Sequence, residues 1–352
     1  MKTACFDFFV GTRPTSVHFH VDEREGWARR FYASQEPLLF LSWVWGARRS
    51  LDSPLIISGM GEGPLSAERA TAIEQRKARF TLGFVLECLF AHFFANVQAA
   101  YMPQAWLDLY DTGTLLELTE SVAGERWSHN KKTLPLKHAD EFVGWLFTGT
   151  TSSELSEPSP EHEADVAAIR EGIRRLAREF LNKDARVEYN ALKHGARTGS
   201  AARNLTLSLT PSGQPFPGKP LMSSPTGVTL PVFSPLRTTD PDSVDRQRGD
   251  KVNRRAMRTH TYAWNIDRTF EVAELAAKLL HNLFVCRANP HGERSIFNIA
   301  AVDLAAVFAV RQSYCRSELG YPEKIDSPLA SEKDVGIAAH RGLKSFAASF
   351  ES

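Results

Sequence analysis

Residues 4–10 are a short apolar run broken by Asp7, and apolar and polar positions alternate over residues 17–21; both stretches read as short strands. Gly11-Thr12-Arg13-Pro14-Thr15 between them is turn chemistry. Residues 37–46 are apolar almost throughout, and periodicity alone assigns them to neither strand nor helix. Leu55-Ile56-Ile57-Ser58 reads as a strand ahead of the turn Gly59 to Pro64. Ser66 then opens a long helix that reaches about Ala100, before Pro103. Shorter helices are expected near 103–110, 113–122 and 138–147. A Ser/Thr/Pro/Gly-rich stretch from Thr148 to Glu161 follows as a linker.

The clearest helix comes next. Val166, Ile169, Ile173, Leu176 and Phe180 recur in steps of three and four and so line one helical face. A second helical piece spans about Asp184 to His194, stopped by Gly195 and Gly199. Residues 205–209, 228–233 and 260–264 read as strands, and helices over about 268–287 and 295–317 close the core. The expected class is mainly α with α+β elements: a helical bundle carrying a β-rich insertion and a small β-rich N-terminal segment. The expected divisions are 1–60 (β-rich), 61–150 (helical), 151–162 (linker) and 163–352 (helical, with the β insertion at 203–264). The regular βαβ alternation of a Rossmann sheet or (β/α) barrel is missing.

A formal net charge of +1 provides no global attraction to nucleic acid or anionic lipid, so any such surface must be a local patch. Cys5, Cys88, Cys286 and Cys315 form no close pair, which excludes a zinc ribbon or a C-x-x-C redox motif and suits a reducing compartment. The N-terminal residues lack a signal-peptide pattern. The most apolar stretch, Phe80 to Val97, is punctuated by Glu87, His92 and Asn96, so a buried core helix is expected rather than a membrane span. A cytoplasmic protein without membrane contact or cofactor is the resulting expectation. Phosphate-loop chemistry is not written in the Gly59–Pro64 turn, which lacks the required glycine spacing and terminal Lys.

Three groups of residues carry candidate chemistry. The first is Tyr189-Asn190-Ala191-Leu192-Lys193-His194-Gly195. Asn190 and His194 are one helical turn apart, Arg186 is one turn earlier, and Lys193 and Arg197 flank them. Continuing the row backward gives Arg170, Arg174, Arg178 and Asn182. His194 is suited to move a proton at a 2′-hydroxyl or a leaving oxygen. Lys193 or Arg186 would stabilise phosphate charge, with Asn190 orienting it. The same Lys-His-Gly ending is also a plain helix C-terminus: cations favour the negative dipole end, and Gly takes the left-handed position. The second group is the basic run Arg246, Arg248, Lys251, Arg254, Arg255 and Arg258, ending at His260 and followed by Tyr262 and Trp264. Basic residues beside aromatics suit single-stranded RNA or DNA, although a solvated charged loop has the same composition. The third is His18, His20 and Asp22, which share one face of a strand and form an incomplete metal-ligand set. Arg255 to His260 and Arg13 to His18 are further Arg–His spacings of the kind that arise by chance. Cys88, His92 and Glu87 read as buried, hydrogen-bonded core residues.

Two helices, the second carrying Asn190 and His194, followed by further core helices, resemble the HEPN superfamily of nucleic-acid-associated helical domains. The resemblance covers roughly residues 163–200 and 268–317. Its motif places an Arg, often followed directly by Asn, a few residues before the His. Asn190 and His194 stand at the Asn and His positions, and Tyr189 stands where the Arg would be. The resemblance implies an RNA- or nucleotide-binding protein, metal-independent endoribonuclease chemistry at His194, a role in bacterial defence or a toxin–antitoxin pair, and a homodimer. Two alternatives are a non-catalytic interaction or scaffold protein and a metal-dependent hydrolase using His18 and His20.

Overall fold

The computed structural model describes residues 3–20, 26–52, 67–126, 139–150, 159–194, 199–200, 206–207, 222–223, 227–235, 255–263, 265–290, 292 and 294–309. It is mostly helical, with a two-stranded antiparallel sheet at its start. The chain divides into two units. Residues 1–228 with 262–315 form the first, and 229–261 with 316–352 the second.

In the first unit, β1 (Thr3–Val10) and β2 (Arg13–His20) form a hairpin in register from Thr3↔His20 to Val10↔Arg13. The expected five-residue turn is shorter, only Gly11 and Thr12, because Gly11 adopts φ +64 and reverses the chain at once. Phe8 and Val10 point inward and are buried. The hairpin tip is tied down by the Gln98 carboxamide, which accepts from the Gly11 N–H at 2.9 Å and donates to its carbonyl at 3.0 Å.

The helices α1 (Trp27–Ala33), α2 (Leu39–Asp52), α3 (Ala67–Gln98), α4 (Pro103–Leu109), α5 (Thr112–Ala123), α6 (Ala139–Phe147), α7 (Pro160–Phe180) and α8 (Lys183–Lys193) follow. The ambiguous 37–46 stretch is thus helical from Leu39 on. Phe40, Leu41 and Val44 bury one face of α2 at helical spacing. The later helices start where the sequence supplies caps. Asp111, Ser159 and Asn182 each accept a backbone N–H from the first turn of α5, α7 and α8.

Short strands β3 (Gly199–Ser200), β4 (Thr206–Leu207) and β5 (Met222–Ser223) come next, β4 pairing antiparallel with β5. β6 (Gly227–Pro235) and β7 (Arg255–Ala263) are neighbouring strands of a sheet, and their residues 229–235 and 255–261 are the described part of the second unit. The chain returns to the first unit with α9 (Ile266–Ala288), capped by Asn265, and α10 (Leu304–Ala309).

The core is built on α3 and α9, which pack along each other. α1, α2 and α6 also pack on α9, while α4, α5, α7 and α8 pack on α3. One apolar cluster contains Phe90, Phe93 and Phe94 of α3, Trp106 of α4, Phe147 of α6, Leu176 of α7 and Phe284 of α9. Helices on both sides of the 151–162 segment therefore share a single core. The expected boundary at that point falls between helices of this core, since α3, α4 and α6 before it and α7 and α9 after it all contribute buried apolar residues. Residues 151–158 lie outside the described residues, as do the 55–58 strand and the Gly59–Pro64 turn.

Over Thr71–Gln98, α3 is long and apolar enough to cross a membrane, with mean hydropathy 1.6, and 61% of its most apolar window is buried inside the fold. Buried polar groups punctuate it. The Arg79 guanidinium donates to both Glu188 oxygens at 3.1 and 2.6 Å and to the Thr269 hydroxyl at 3.3 Å. Asn96 donates to the Tyr32 hydroxyl at 2.6 Å, beside the His92 ring.

The helix expected over 295–317 differs from what is found. Residues 294–303 have no helix among those described, and only Leu304–Ala309 is helical; residues from 310 on lie outside the described set. Side chains satisfy this segment's backbone in place of a helical ladder. Asn282 bonds both the N–H and the C=O of Phe297 at 2.8 Å, His281 meets the Ser295 carbonyl, and Asp165 takes the N–H groups of Ile299 and Ala300.

The buried polar groups can be tested through stability. Glu188→Ala strands the Arg79 charge and is expected to cost ~3–5 kcal/mol in urea unfolding, whereas Arg79→Met with Glu188→Leu costs much less. An equal cost for both would show that the ion pair is not the source. Burial pushes His92 down to about 4. The unfolded chain then binds the proton more readily. The stabilisation is complete above the ordinary histidine value and is lost as pH falls through about 6.5 toward 4. Between about pH 7.5 and 4.5 the stability difference between wild type and His92→Gln should shrink by ~2–3 kcal/mol. A difference constant with pH would contradict the buried neutral imidazole.

Candidate functional site

The helix that carries the Asn190–His194 row begins afresh at the Asn182 cap, so the row does not continue along α7. Arg170 and Arg174 of that row are engaged in ion pairs of their own. Arg170 pairs with Asp140, and Arg174 pairs with Glu171 and Glu125. On α8, Glu188, Tyr189 and Ala191 turn inward, while Asn190 and His194 are exposed. His194 is the residue that ends the helix, its N–H bonded to the Asn190 carbonyl.

Tyr189, which stands where the resemblance expects an Arg, is buried because it faces α3. Its ring lies on the backbone at Gly83, where an added Cβ would come within 2.3 Å of Cδ2. Its hydroxyl donates to Glu87 Oε2 at 2.6 Å, and burial beside that carboxylate pushes the phenol well above its usual range. Lys193 donates to both Glu87 oxygens at 3.0 Å. The charge that would stabilise a phosphate next to His194 is thereby committed to α3. Arg186 is half-buried, with its Nε covered and unpartnered.

Arg197, Arg246, Arg248, Lys251 and Arg254 lie outside the described residues. Arg255, Arg258, His260 and Tyr262 fall on β7, and Trp264 is outside. His18 and His20 are both on β2, His18 is exposed, and Asp22 is outside. Among the described residues, no three His, Cys, Asp or Glu side chains come together as a metal site. Cys88 has its thiol pushed up to about 12, mainly by burial. It is a core residue rather than a nucleophile.

A different surface stands out. A groove of about 580 Å³ runs between α2 and α3 and is closed on one side by Leu192 of α8. Trp43 and Ala47 of α2 and Ile73 and Phe80 of α3 form its apolar lining, and Glu74, Arg76 and Lys77 supply charge. That size suits a small ligand or one unit of a polymer. Trp43 stacks on Phe84 at 5.6 Å, Phe84 lies nearly parallel to Phe80 at 6.1 Å, and Phe80 meets Tyr189 at 5.9 Å. This aromatic run ends in the open. Trp43 is 43% exposed and Trp45 45%. Leu38 and Leu39 are exposed on the same stretch, and Arg48 and Arg49 lie one turn farther along α2. Trp43 lines the groove, whereas Trp45, two residues on, faces a different side of α2, and Arg48 is set against Phe270 and Glu274 of α9.

Sequence reasoning misses this surface because residues 37–46 read only as apolar. The usable signal is Trp43-x-Trp45 followed by Arg48-Arg49. In a helix whose inward positions are already filled by Phe40, Leu41 and Val44, both tryptophans must face outward. No family model matches the chain, and no curated protein or solved structure matches it either.

Removal of the space at Gly83 tests the seating of Tyr189. Gly83→Ala is expected to cost ~1–3 kcal/mol through overpacking. In a Tyr189→Leu background it should be neutral or stabilising, since Ala is the better helix former by about 1 kcal/mol. The same cost in both backgrounds would place the clash elsewhere.

Proposed function

We propose that this HEPN-like helical protein binds single-stranded RNA or a nucleotide in the α2–α3 groove, and that binding rather than cleavage is its principal activity. The observation that carries this is the solvent-open end of the aromatic run at Trp43, in a groove that Arg76 and Lys77 also line. Aromatic faces take bases by stacking without regard to sequence, and cations on the same surface track the phosphates. Arg76 and Lys77 bring positive charge to the groove itself. A stacking face and cations thus share one lining, the pairing that single-stranded nucleic acid takes.

A second reading is favoured by the exposure of His194 and Asn190. In that reading His194 takes the proton of a 2′-hydroxyl and Asn190 orients the phosphate, with no metal required. The engagement of Lys193 by Glu87 weighs against it, since the site then lacks its nearest cation. The turn bearing Asn190 and His194 also supplies Leu192 to the groove, so a strand bound there passes beside α8.

Fluorescence anisotropy with a labelled single-stranded RNA tests the proposal. Trp43→Ala should weaken binding about tenfold, the usual worth of one stacked base. Raising the salt should weaken it further. No binding at low salt, or unchanged binding by Trp43→Ala, would overturn it. In chelator, wild type and His194→Ala should leave the RNA equally intact. Cleavage by wild type alone would establish the second reading.

A further inference from the structure

We infer that the groove selects bases bearing an exocyclic amino group, and that Glu74 is the residue that reads it. This deepens the nucleotide-binding proposal and rests on it. Glu74 lines the groove, yet its side chain is only 4% exposed. Its Oε2 is covered and has no hydrogen-bond partner, while Oε1 is held by the Lys77 ammonium at 2.7 Å. A buried carboxylate normally has its lone pairs satisfied, so this one is short of donors.

Lys77 holds Oε1 from the solvent side, its own side chain being 56% exposed. An amino group on a base stacked against the Trp43–Phe80 run supplies the donor that Oε2 lacks. Lys77 keeps its place on Oε1 and offers the rest of its ammonium to the phosphate of the same nucleotide. Recognition of the cytosine amino group by a carboxylate follows the ordinary donor–acceptor code of base edges. Uracil, nearly identical in shape, presents a carbonyl at that position. Two acceptors would then face each other over a desolvated carboxylate, with no hydrogen bond gained. The groove therefore distinguishes bases of the same size by one donor, as sites built around a buried polar group do.

Equal-length oligocytidylate and oligouridylate, titrated at neutral pH into wild type, Glu74→Gln, Lys77→Ala and Trp43→Ala, provide the test. Wild type should bind oligocytidylate roughly tenfold tighter. Glu74→Gln should erase most of that preference, because a carboxamide can donate to a carbonyl as well as accept from an amine. Lys77→Ala should keep the preference and flatten the salt dependence by about one counterion. Equal affinity of wild type for both oligomers, with Trp43→Ala weakening both, would overturn the inference and leave the binding proposal standing. A preference that survives Glu74→Gln would also overturn it. Failure of both oligomers to bind at low salt would remove the binding proposal itself.

Discussion

The Arg79 guanidinium joins three helices at one buried point. It rises from α3, takes both oxygens of Glu188 on α8, and reaches Thr269 on α9. Breaking such a pair leaves a buried charge without its counter-ion, so the geometry is held more firmly than apolar packing alone would hold it. Much of the candidate surface is a consequence. With α8 fixed against α3, Tyr189 lies on Gly83, Lys193 reaches Glu87, and Leu192 closes one side of the α2–α3 groove.

That same constraint explains why position 189 carries a tyrosine. The residue faces α3, where a ring can lie on a glycine and a hydroxyl can meet Glu87. A motif arginine there would point into the bundle rather than toward an RNA. α8 is thus used chiefly to build the interior, and its exposed remainder, Asn190 and His194, borders a groove whose aromatic and charged groups come mainly from α2 and α3. Exposed polar residues and core packing divide the helix between its two sides.

The helices are legible where apolar periodicity and a cap coincide. α7 has both Ser159 and the Val166-to-Phe180 series, and α3 has its long apolar run. α1 is not legible, because seven residues with one buried side chain, Tyr32, leave too little periodicity to read. The 295–303 stretch misleads for the opposite reason: its apolar content suits a helix, but Asn282, His281 and Asp165 satisfy its backbone from elsewhere in the chain. Long-range side-chain bonds of this kind leave no local mark. The candidate site is legible only in part. The exposure of His194 agrees with its place at a helix end, whereas the groove depends on the distant segments 39–52 and 67–98 lying side by side.

Ultraviolet crosslinking of bound single-stranded RNA, followed by mapping of the attached peptides, bears most directly on the central claim. Crosslinks should concentrate on the α2 and α3 peptides containing Trp43, Trp45 and Phe80. Crosslinks confined to residues 246–264, with the α2 and α3 peptides unmodified, would contradict it.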